Sequence, residues 1–91
     1  SEATEERLML SAIDSQIQRG EADPSSAGRL IELLKSESPD VQAQAASSLR
    51  CFTGTGAHKD CTAALIAELS NENADVRAIA ALTLGDFPVL D

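Results

Sequence analysis

Aromatic residues are almost absent from this chain, which has two Phe and neither Trp nor Tyr among its 91 residues. Any core must therefore be built from Leu, Ile, Val and Ala, side chains that suit the close packing of one helix against another. Basic residues are also scarce, with 7 Lys and Arg against 15 Asp and Glu, for a net charge of −8. Nucleic acids and anionic membrane surfaces are bound mainly through Lys and Arg, so we expect neither as a partner. A basic protein partner, or solubility alone, fits this charge better.

Cysteine is also rare, and no apolar run approaches the ~20 residues that span a bilayer. Two Cys do not make a disulfide framework, which favours a reducing, cytoplasmic location. The acidic, polar start of the chain is unlike the basic start of a signal peptide. Because the chain also lacks an initiating Met, we expect that it was processed or cut from a longer protein.

What the chain does contain is a copy of itself, displaced by about 35 residues. Residues 30–52 read LIELLKSESPDVQAQAASSLRCF, and residues 65–87 read LIAELSNENADVRAIAALTLGDF. The two windows align without a gap and share mostly apolar residues that carry no chemistry, so the duplicated feature is a packing surface. The shared pairs are Leu30/Leu65, Ile31/Ile66, Leu34/Leu69, Glu37/Glu72, Asp40/Asp75, Val41/Val76, Ala43/Ala78, Ala45/Ala80, Ala46/Ala81, Leu49/Leu84 and Phe52/Phe87.

Capping residues and apolar spacing divide each copy into two helices. We predict helices over residues 25–36 and 39–53 in the first copy. In the second copy we predict helices over residues 61–70 and between Asn73, as a cap, and Pro88. A further helix over residues 4–18, stopped by Gly20, completes an all-α prediction of five helices and no strand. The other predicted caps are Asp23 followed by Pro24, Ser38 followed by Pro39, and either Thr55 or Asp60.

Two strings of residues closely resemble HEAT repeats, and most of all the short HEAT-like class also found in phycobilisome lyases. They are Pro39-Asp40-Val41-Gln42-x-x-Ala45-Ala46-x-x-Leu49 and Asp75-Val76-Arg77-x-x-Ala80-Ala81-x-x-Leu84-Gly85. The resemblance covers roughly residues 24–88 and implies an α-α superhelix, or solenoid, of HEAT-like helical hairpins. In that family the Asp and Arg of the Asp-Val-Arg triplet form polar ladders between repeats. The resemblance therefore implies a ladder here with one Arg missing, at Gln42. Armadillo repeats are close relatives but run longer, to about 40 residues.

We predict a single domain over residues 1–91. Residues 1–22 are expected to form a capping helix or half-repeat, residues 23–56 the first repeat and residues 57–91 the second. The Gly-rich stretch 53–56 joins the repeats as a flexible turn. It lacks the Gly spacing and the Gly-Lys-Ser/Thr ending of a phosphate-binding loop.

No motif predicts catalysis, a metal site or a cofactor. His58 is the only His, and no Cys or carboxylate lies beside it at the spacing of metal ligands. Deoxyhypusine hydroxylases, which are HEAT-repeat enzymes, bind iron through His-Glu pairs, whereas this chain has His58-Lys59. We therefore expect His58 to be an exposed loop residue. Cys51 and Cys61 flank the inter-repeat turn, and we expect two free thiols rather than a disulfide.

These features favour a non-catalytic protein–protein interaction or scaffold module. Two alternatives stay open: a fragment of a bilin lyase-type HEAT-like protein, by resemblance alone, and a purely structural segment of a longer solenoid. The last helix is apolar on a second side, because Ile79 and Leu82 replace Gln44 and Ser47. This pattern indicates a further repeat packed there, a self-association site or a partner site. The partner-binding residues that we predict on the concave face are Gln44, Ser47, Arg50, Ile79, Leu82 and Asp86.

Overall fold

The computed structural model describes residues 2–52 and 57–85, with side chains described from residue 4 onward. Within these ranges the chain forms five α-helices, one short 3₁₀-helix and no strand, which confirms the predicted all-α fold. The predicted turn at residues 53–56 and the predicted helix end at Phe87 and Pro88 lie outside the described residues. The helices are α1 (Glu2–Gln18), α2 (Pro24–Leu33), α3 (Pro39–Ser48), α4 (His58–Glu68) and α5 (Ala74–Leu84), and the 3₁₀-helix spans Leu49–Phe52.

The helices lie in two rows. One row contains α1, α3 and α5, with α3 packed between its two neighbours, and the other contains α2 and α4. Within each repeat the first helix packs against the second, so that α2 pairs with α3 and α4 with α5. Helix α1 thus lies where the second helix of a preceding repeat would lie. The molecule measures 42 × 32 × 16 Å.

The core lies between the rows and contains many of the apolar residues that the two copies share, together with Leu10 and Ile13 of α1. Leu30, Val41, Leu49, Leu65 and Val76 are fully buried, and burying an aliphatic side chain of this size stabilises the fold by ~1.5–3 kcal/mol. Alanines fill the places where helices approach most closely. The fully buried alanines are Ala45, Ala46 and Ala80.

Two of the predicted helix caps form as the sequence indicates. Asp23 caps α2, where its carboxylate accepts from the backbone N–H groups of Ser25 and Ser26 at 3.0 and 3.2 Å. The hydroxyl of Ser26 accepts in return from the Asp23 N–H at 3.5 Å, which completes a capping box. Asn73 caps α5 in the same way, accepting from the N–H groups of Asp75 and Val76 at 2.8 and 3.2 Å. These bonds satisfy N–H groups that have no partner inside their helix.

Helix α1 ends at Gly20, as predicted, through a left-handed turn. Gly20 has a φ of 73°, a conformation that glycine adopts without a steric penalty. Its N–H donates to the carbonyl of Ile17 at 3.1 Å, and the N–H of Glu21 donates to the carbonyl of Gln16 at 2.8 Å. This pair of bonds is the Schellman pattern at a helix C-terminus.

The second helix of the first repeat is shorter than the prediction of residues 39–53. Helix α3 ends at Ser48, and Leu49–Phe52 continue as a 3₁₀-helix. A 3₁₀-helix has three residues per turn, so residues three apart lie on the same side. Leu49 and Phe52 are therefore buried together. Ser38 lies at the N-cap position of α3 but makes no side-chain capping bond, and its own N–H is bound instead by the Ser36 hydroxyl at 3.0 Å.

The start of α4 differs most from the sequence prediction. The helix begins at His58 rather than Cys61, with Ala57 at the N-cap position and Asp60 in the first turn rather than as a cap. The alternative cap, Thr55, lies outside the described residues. The prediction that His58 is an exposed loop residue is wrong, because its side chain is buried. The earlier helix start carries His58 onto the inner side of α4, together with Cys61 and Leu65.

Candidate partner-binding surface

The structure describes five of the six predicted partner-binding residues, and they lie on α3, the 3₁₀-helix and α5. We define the second-helix ridge as the part of these three elements that faces away from α2 and α4. On α3 the residues that face α2 are buried, and the helical period places Gln44 and Ser47 elsewhere on the helix. The structure leaves Gln44 exposed and Ser47 half-buried.

Arg50 also lies on the ridge, but in the 3₁₀-helix rather than in α3. Its guanidinium is exposed, and its Nη2 donates to the Ser47 hydroxyl at 3.4 Å. No carboxylate forms an ion pair with Arg50 among the residues that the structure describes. Its charge is therefore directed at solvent, where a partner can reach it.

On α5 the structure separates the two apolar residues that the sequence grouped together. Ile79 is half-buried and packs against the core, whereas Leu82 is 73% exposed. Leu82 occupies the place in the second repeat that Ser47 occupies in the first. The two residues therefore lie on the same side of adjacent second helices. The remaining predicted residue, Asp86, lies outside the described residues.

Helices α1, α3 and α5 each carry an exposed carboxylate near the start of the helix. These residues are Glu5 on α1, Asp40 on α3 and Asp75 on α5, which occupy equivalent places about 35 residues apart. A carboxylate in the first turn of a helix also complements the positive end of the helix dipole. Because α1, α3 and α5 lie side by side, these carboxylates form a row at the starts of the three helices.

Polar contacts tie the second helices to one another. Arg7 on α1 forms an exposed ion pair with Asp40 on α3 at 3.3 Å, and the Ser48 hydroxyl on α3 donates to Asp14 on α1 at 2.8 Å. A third bond runs from the hydroxyl of Ser36 to the carboxylate of Glu6 at 2.8 Å. These contacts fix α1 against the first repeat.

The ladder between the two repeats uses different groups from those implied by the family triplet. Gln42 donates to the carbonyl of Leu34 at 3.2 Å and accepts from Asn71 at 3.4 Å. Arg77 donates to the carbonyls of Asn71 and Glu72 at 2.7 and 3.1 Å. The side-chain amides of Gln42 and Asn71 therefore link the two repeats, in place of the Arg–Asp pair that the family resemblance implies. Sequence reasoning missed Asn71, which corresponds to Ser36 in the alignment of the two copies, and Arg7, which precedes both aligned windows.

Both cysteines are free thiols, as expected, but they differ in environment. Cys51 is exposed and Cys61 is buried. Burial, followed by the neighbouring charge of Asp60, raises the pKa of the Cys61 thiol from 9.0 to about 11. Cys61 is therefore protonated at neutral pH and acts as a small apolar core residue.

The described residues offer little for catalysis or metal binding. Among them, no group of three or more His, Cys, Asp or Glu side chains is arranged to hold a metal ion. An open groove of about 370 Å³ lies between the two interhelical turns, and its lining is mostly polar. Within the same described part of the chain, no helix has both the length and the apolar character needed to cross a membrane. The groove is lined by Ser36, Glu37, Pro39, Gln42, Asn71, Glu72 and Asn73.

Comparison with protein-family models gives a match to HEAT repeats over residues 27–88, which is more than half of the chain. The matched region contains the four helices of the two hairpins. The chain belongs to the HEAT-repeat family. Comparisons with curated proteins and with solved structures give no match. HEAT repeats generally mediate protein interaction or scaffolding and are typically not enzymes.

Proposed function

We propose that this HEAT-repeat protein is a non-catalytic interaction module that binds a protein partner across the second-helix ridge. The observation that carries the proposal is the exposure of Leu82 on a helix whose equivalent residue in the first repeat is the polar Ser47. An exposed apolar side chain of this size gains free energy when a partner covers it and removes it from water. Arg50 lies on the same ridge, and its guanidinium, which forms no ion pair with a carboxylate among the described residues, can bind a carboxylate or carbonyl of the partner.

The proposed partner carries basic residues opposite the row of carboxylates. Glu5, Asp40 and Asp75 lie near the starts of α1, α3 and α5, and the chain as a whole carries a net charge of −8. Such a field attracts a basic partner and raises its rate of association, an effect that weakens as salt is added. Because both thiols are free, we also propose a reducing compartment such as the cytoplasm. Among the described residues no feature specifically favours the bilin-lyase alternative, and we do not propose it.

Affinity capture followed by titration tests the ridge. The wild-type chain, Leu82→Asp and Arg50→Ala would be immobilised in parallel, and a captured partner would then be titrated by calorimetry. We expect each substitution to weaken binding by roughly 5- to 30-fold, as for residues that carry 1–2 kcal/mol of an interface. Leu8→Asp is the matched control, because Leu8 is 67% exposed on α1 and lies off the ridge. Unchanged affinity for both ridge variants would refute the proposal.

Self-association through α5 would use the same exposed Leu82. Light scattering over a concentration series in reducing buffer distinguishes it from binding to a different protein. A dimer that Leu82→Asp abolishes and Leu8→Asp preserves would show that the partner is a second copy of the chain. If the chain stays a monomer at every concentration, the ridge is not a self-association site, and the proposed partner is a different protein.

A further inference from the structure

The two copies of the repeat join their first and second helices by turns with the same hydrogen bonds. In the first turn the side chain of Ser36 accepts from the N–H of Ser38 at 3.0 Å. In the second turn the side chain of Asn71 accepts from the N–H of Asn73 at 2.8 Å. The two turns therefore present their backbone carbonyls in the same arrangement. Backbone bonds that recur in both turns run from Ser36 to Leu33 and from Asn71 to Glu68, and from Gln42 to Ser38 and from Arg77 to Asn73.

In the second turn these carbonyls bind a guanidinium of the chain itself. The Nη1 of Arg77 donates to the carbonyl of Asn71 at 2.7 Å and to the carbonyl of Glu72 at 3.1 Å. Hydrogen bonds from a charged donor are stronger than those between neutral groups. The second copy therefore shows that this turn binds a guanidinium through the carbonyls of two successive residues.

The first turn has the same carbonyls but a different residue in place of the arginine. The equivalent of Arg77 is Gln42, which donates to the carbonyl of Leu34 at 3.2 Å and does not reach the turn carbonyls. Those carbonyls belong to Ser36 and Glu37, the equivalents of Asn71 and Glu72. Among the described residues no group donates to either of them. The first turn thus keeps two acceptors of a guanidinium without a donor from the described chain.

The open groove of about 370 Å³ lies beside these carbonyls and is acidic. Its lining includes Ser36 and Glu37 of the first turn, and Glu72 of the second. The carboxylates of Glu37 and Glu72 are exposed, and neither forms an ion pair among the described residues. Two carboxylates favour a cation, and the planar fork of a guanidinium fits two neighbouring acceptors better than a compact ammonium does.

We propose that this groove binds an arginine side chain of a basic protein partner. The guanidinium donates to the carbonyls of Ser36 and Glu37, as Arg77 donates to the equivalent carbonyls of the second turn, and it pairs with the carboxylate of Glu37. The source of the arginine rests on the proposed function, which assigns the chain a basic protein partner. The groove itself shares no residue with the predicted partner-binding set on the second-helix ridge.

A short peptide tests the groove without the partner. Acetyl-Gly-Arg-Gly-amide is titrated into the ¹⁵N-labelled chain, and the amide signals are followed by NMR. We expect saturable shifts of residues 36–42 and of the Asn71 side-chain amide, with a Kd on the order of millimolar, as suits one exposed charged side chain. The same peptide with lysine should bind at least threefold more weakly, and the peptide with neutral citrulline should cause no saturable shift.

Gln42→Arg is the decisive variant, because it places a guanidinium of the chain on the first turn. We expect it to weaken peptide binding at least tenfold. Gln18→Arg is the matched control, since it adds the same charge at an exposed position at the end of α1 and should change binding little. Glu37→Gln should weaken binding about two- to fivefold, whereas Glu32→Gln, at an exposed position on α2, should not. Glu37→Gln also tests the groove if Gln42→Arg fails to fold.

Three results would overturn the proposal: no saturable shift in the first turn, equal shifts with citrulline, or unchanged binding in both Gln42→Arg and Glu37→Gln. Tighter binding of free arginine than of the peptide would overturn the assignment to a protein partner. The peptide assay also keeps this proposal distinct from the proposed function. Peptide binding in the groove with partner affinity unchanged in Leu82→Asp and Arg50→Ala would refute the ridge alone, and the reverse result would refute the groove alone.

Discussion

Two glycines with equal space around them should respond to alanine in opposite directions. A Cβ atom added at Gly20 or at Gly28 would meet no atom within 4 Å, so neither substitution introduces a clash. The two positions differ in backbone conformation, because Gly20 has a φ of 73° and Gly28 lies inside α2. We expect Gly28→Ala to stabilise the protein and Gly20→Ala to destabilise it.

The magnitudes follow from the backbone alone. Gly inside a helix is less stable than Ala by about 0.5–1 kcal/mol, so Gly28→Ala should raise the free energy of unfolding by that amount. Alanine in the left-handed region costs about 1–2 kcal/mol, which outweighs the entropy that Ala removes from the unfolded chain. For a domain of this size, 1 kcal/mol corresponds to a change in Tm of about 4–8 °C. The two variants should therefore lie on opposite sides of the wild-type Tm.

Urea unfolding monitored by the helical circular dichroism signal provides the measurement. The slope of the free energy against urea concentration should stay constant, so that the midpoint alone reports the change in stability. Gly20→Asn is a useful third variant, since Asn tolerates the left-handed region better than Ala and should lie closer to wild type. If both alanine variants shifted the midpoint in the same direction, the assignment of opposite backbone requirements would be wrong.

Three further changes test the packing and the titrating groups. Leu49→Ala should cost about 2–5 kcal/mol by urea unfolding, and the equivalent Leu84→Ala should cost less because Leu84 is only half-buried. A thiol reagent at pH 8 should modify Cys51 rapidly and Cys61 only on unfolding. Since burial raises the pKa of Cys61 from 9.0 to about 11, stability should fall as pH rises through that interval, and less so in Cys61→Ala. Hydrogen bonds lower the pKa of Asp23 below 3.8, so acid should remove its contribution, and Asp23→Asn should weaken that dependence. Equal losses of stability in Leu49→Ala and Leu84→Ala would contradict the first prediction, and rapid modification of both thiols would contradict the second. A pH dependence of stability that is the same in wild type and in Cys61→Ala, or in wild type and in Asp23→Asn, would contradict the corresponding titration prediction.

The architecture was predictable because the local signals and the repeat agree with each other. Asp23 with Pro24, Asn73 and Gly20 each mark a helix end by a mechanism that needs no tertiary contact, and each acts in the structure as predicted. Duplication of the apolar positions then indicates which sides of the helices meet. The helix boundaries that the sequence predicted poorly, the end of α3 and the start of α4, depend on packing. The change to a 3₁₀-helix after Ser48 and the burial of His58 both place side chains in a core that local sequence does not describe.

The candidate surface was less predictable, because exposure depends on which side of a helix a neighbour covers. Ile79 and Leu82 look equivalent on a helical wheel as apolar additions to α5. The structure packs Ile79 against the core and leaves Leu82 exposed. Conversely, Ile66 and Leu69 read as ordinary core residues, since their equivalents in the first repeat are covered. They are exposed here because the described chain places no third repeat beside them.

Comparing equivalent residues of the two copies distinguishes residues that pack the core from residues that are available for recognition. Leu49 and Leu84, the same residue at equivalent positions of the two copies, lie toward the core, where a changed volume is costly. On the second-helix ridge, by contrast, Ser47 corresponds to Leu82 and Arg50 to Gly85, so the ridge changes chemistry from one repeat to the next. The positions that differ between the copies are therefore the ones that we propose for recognition of a partner.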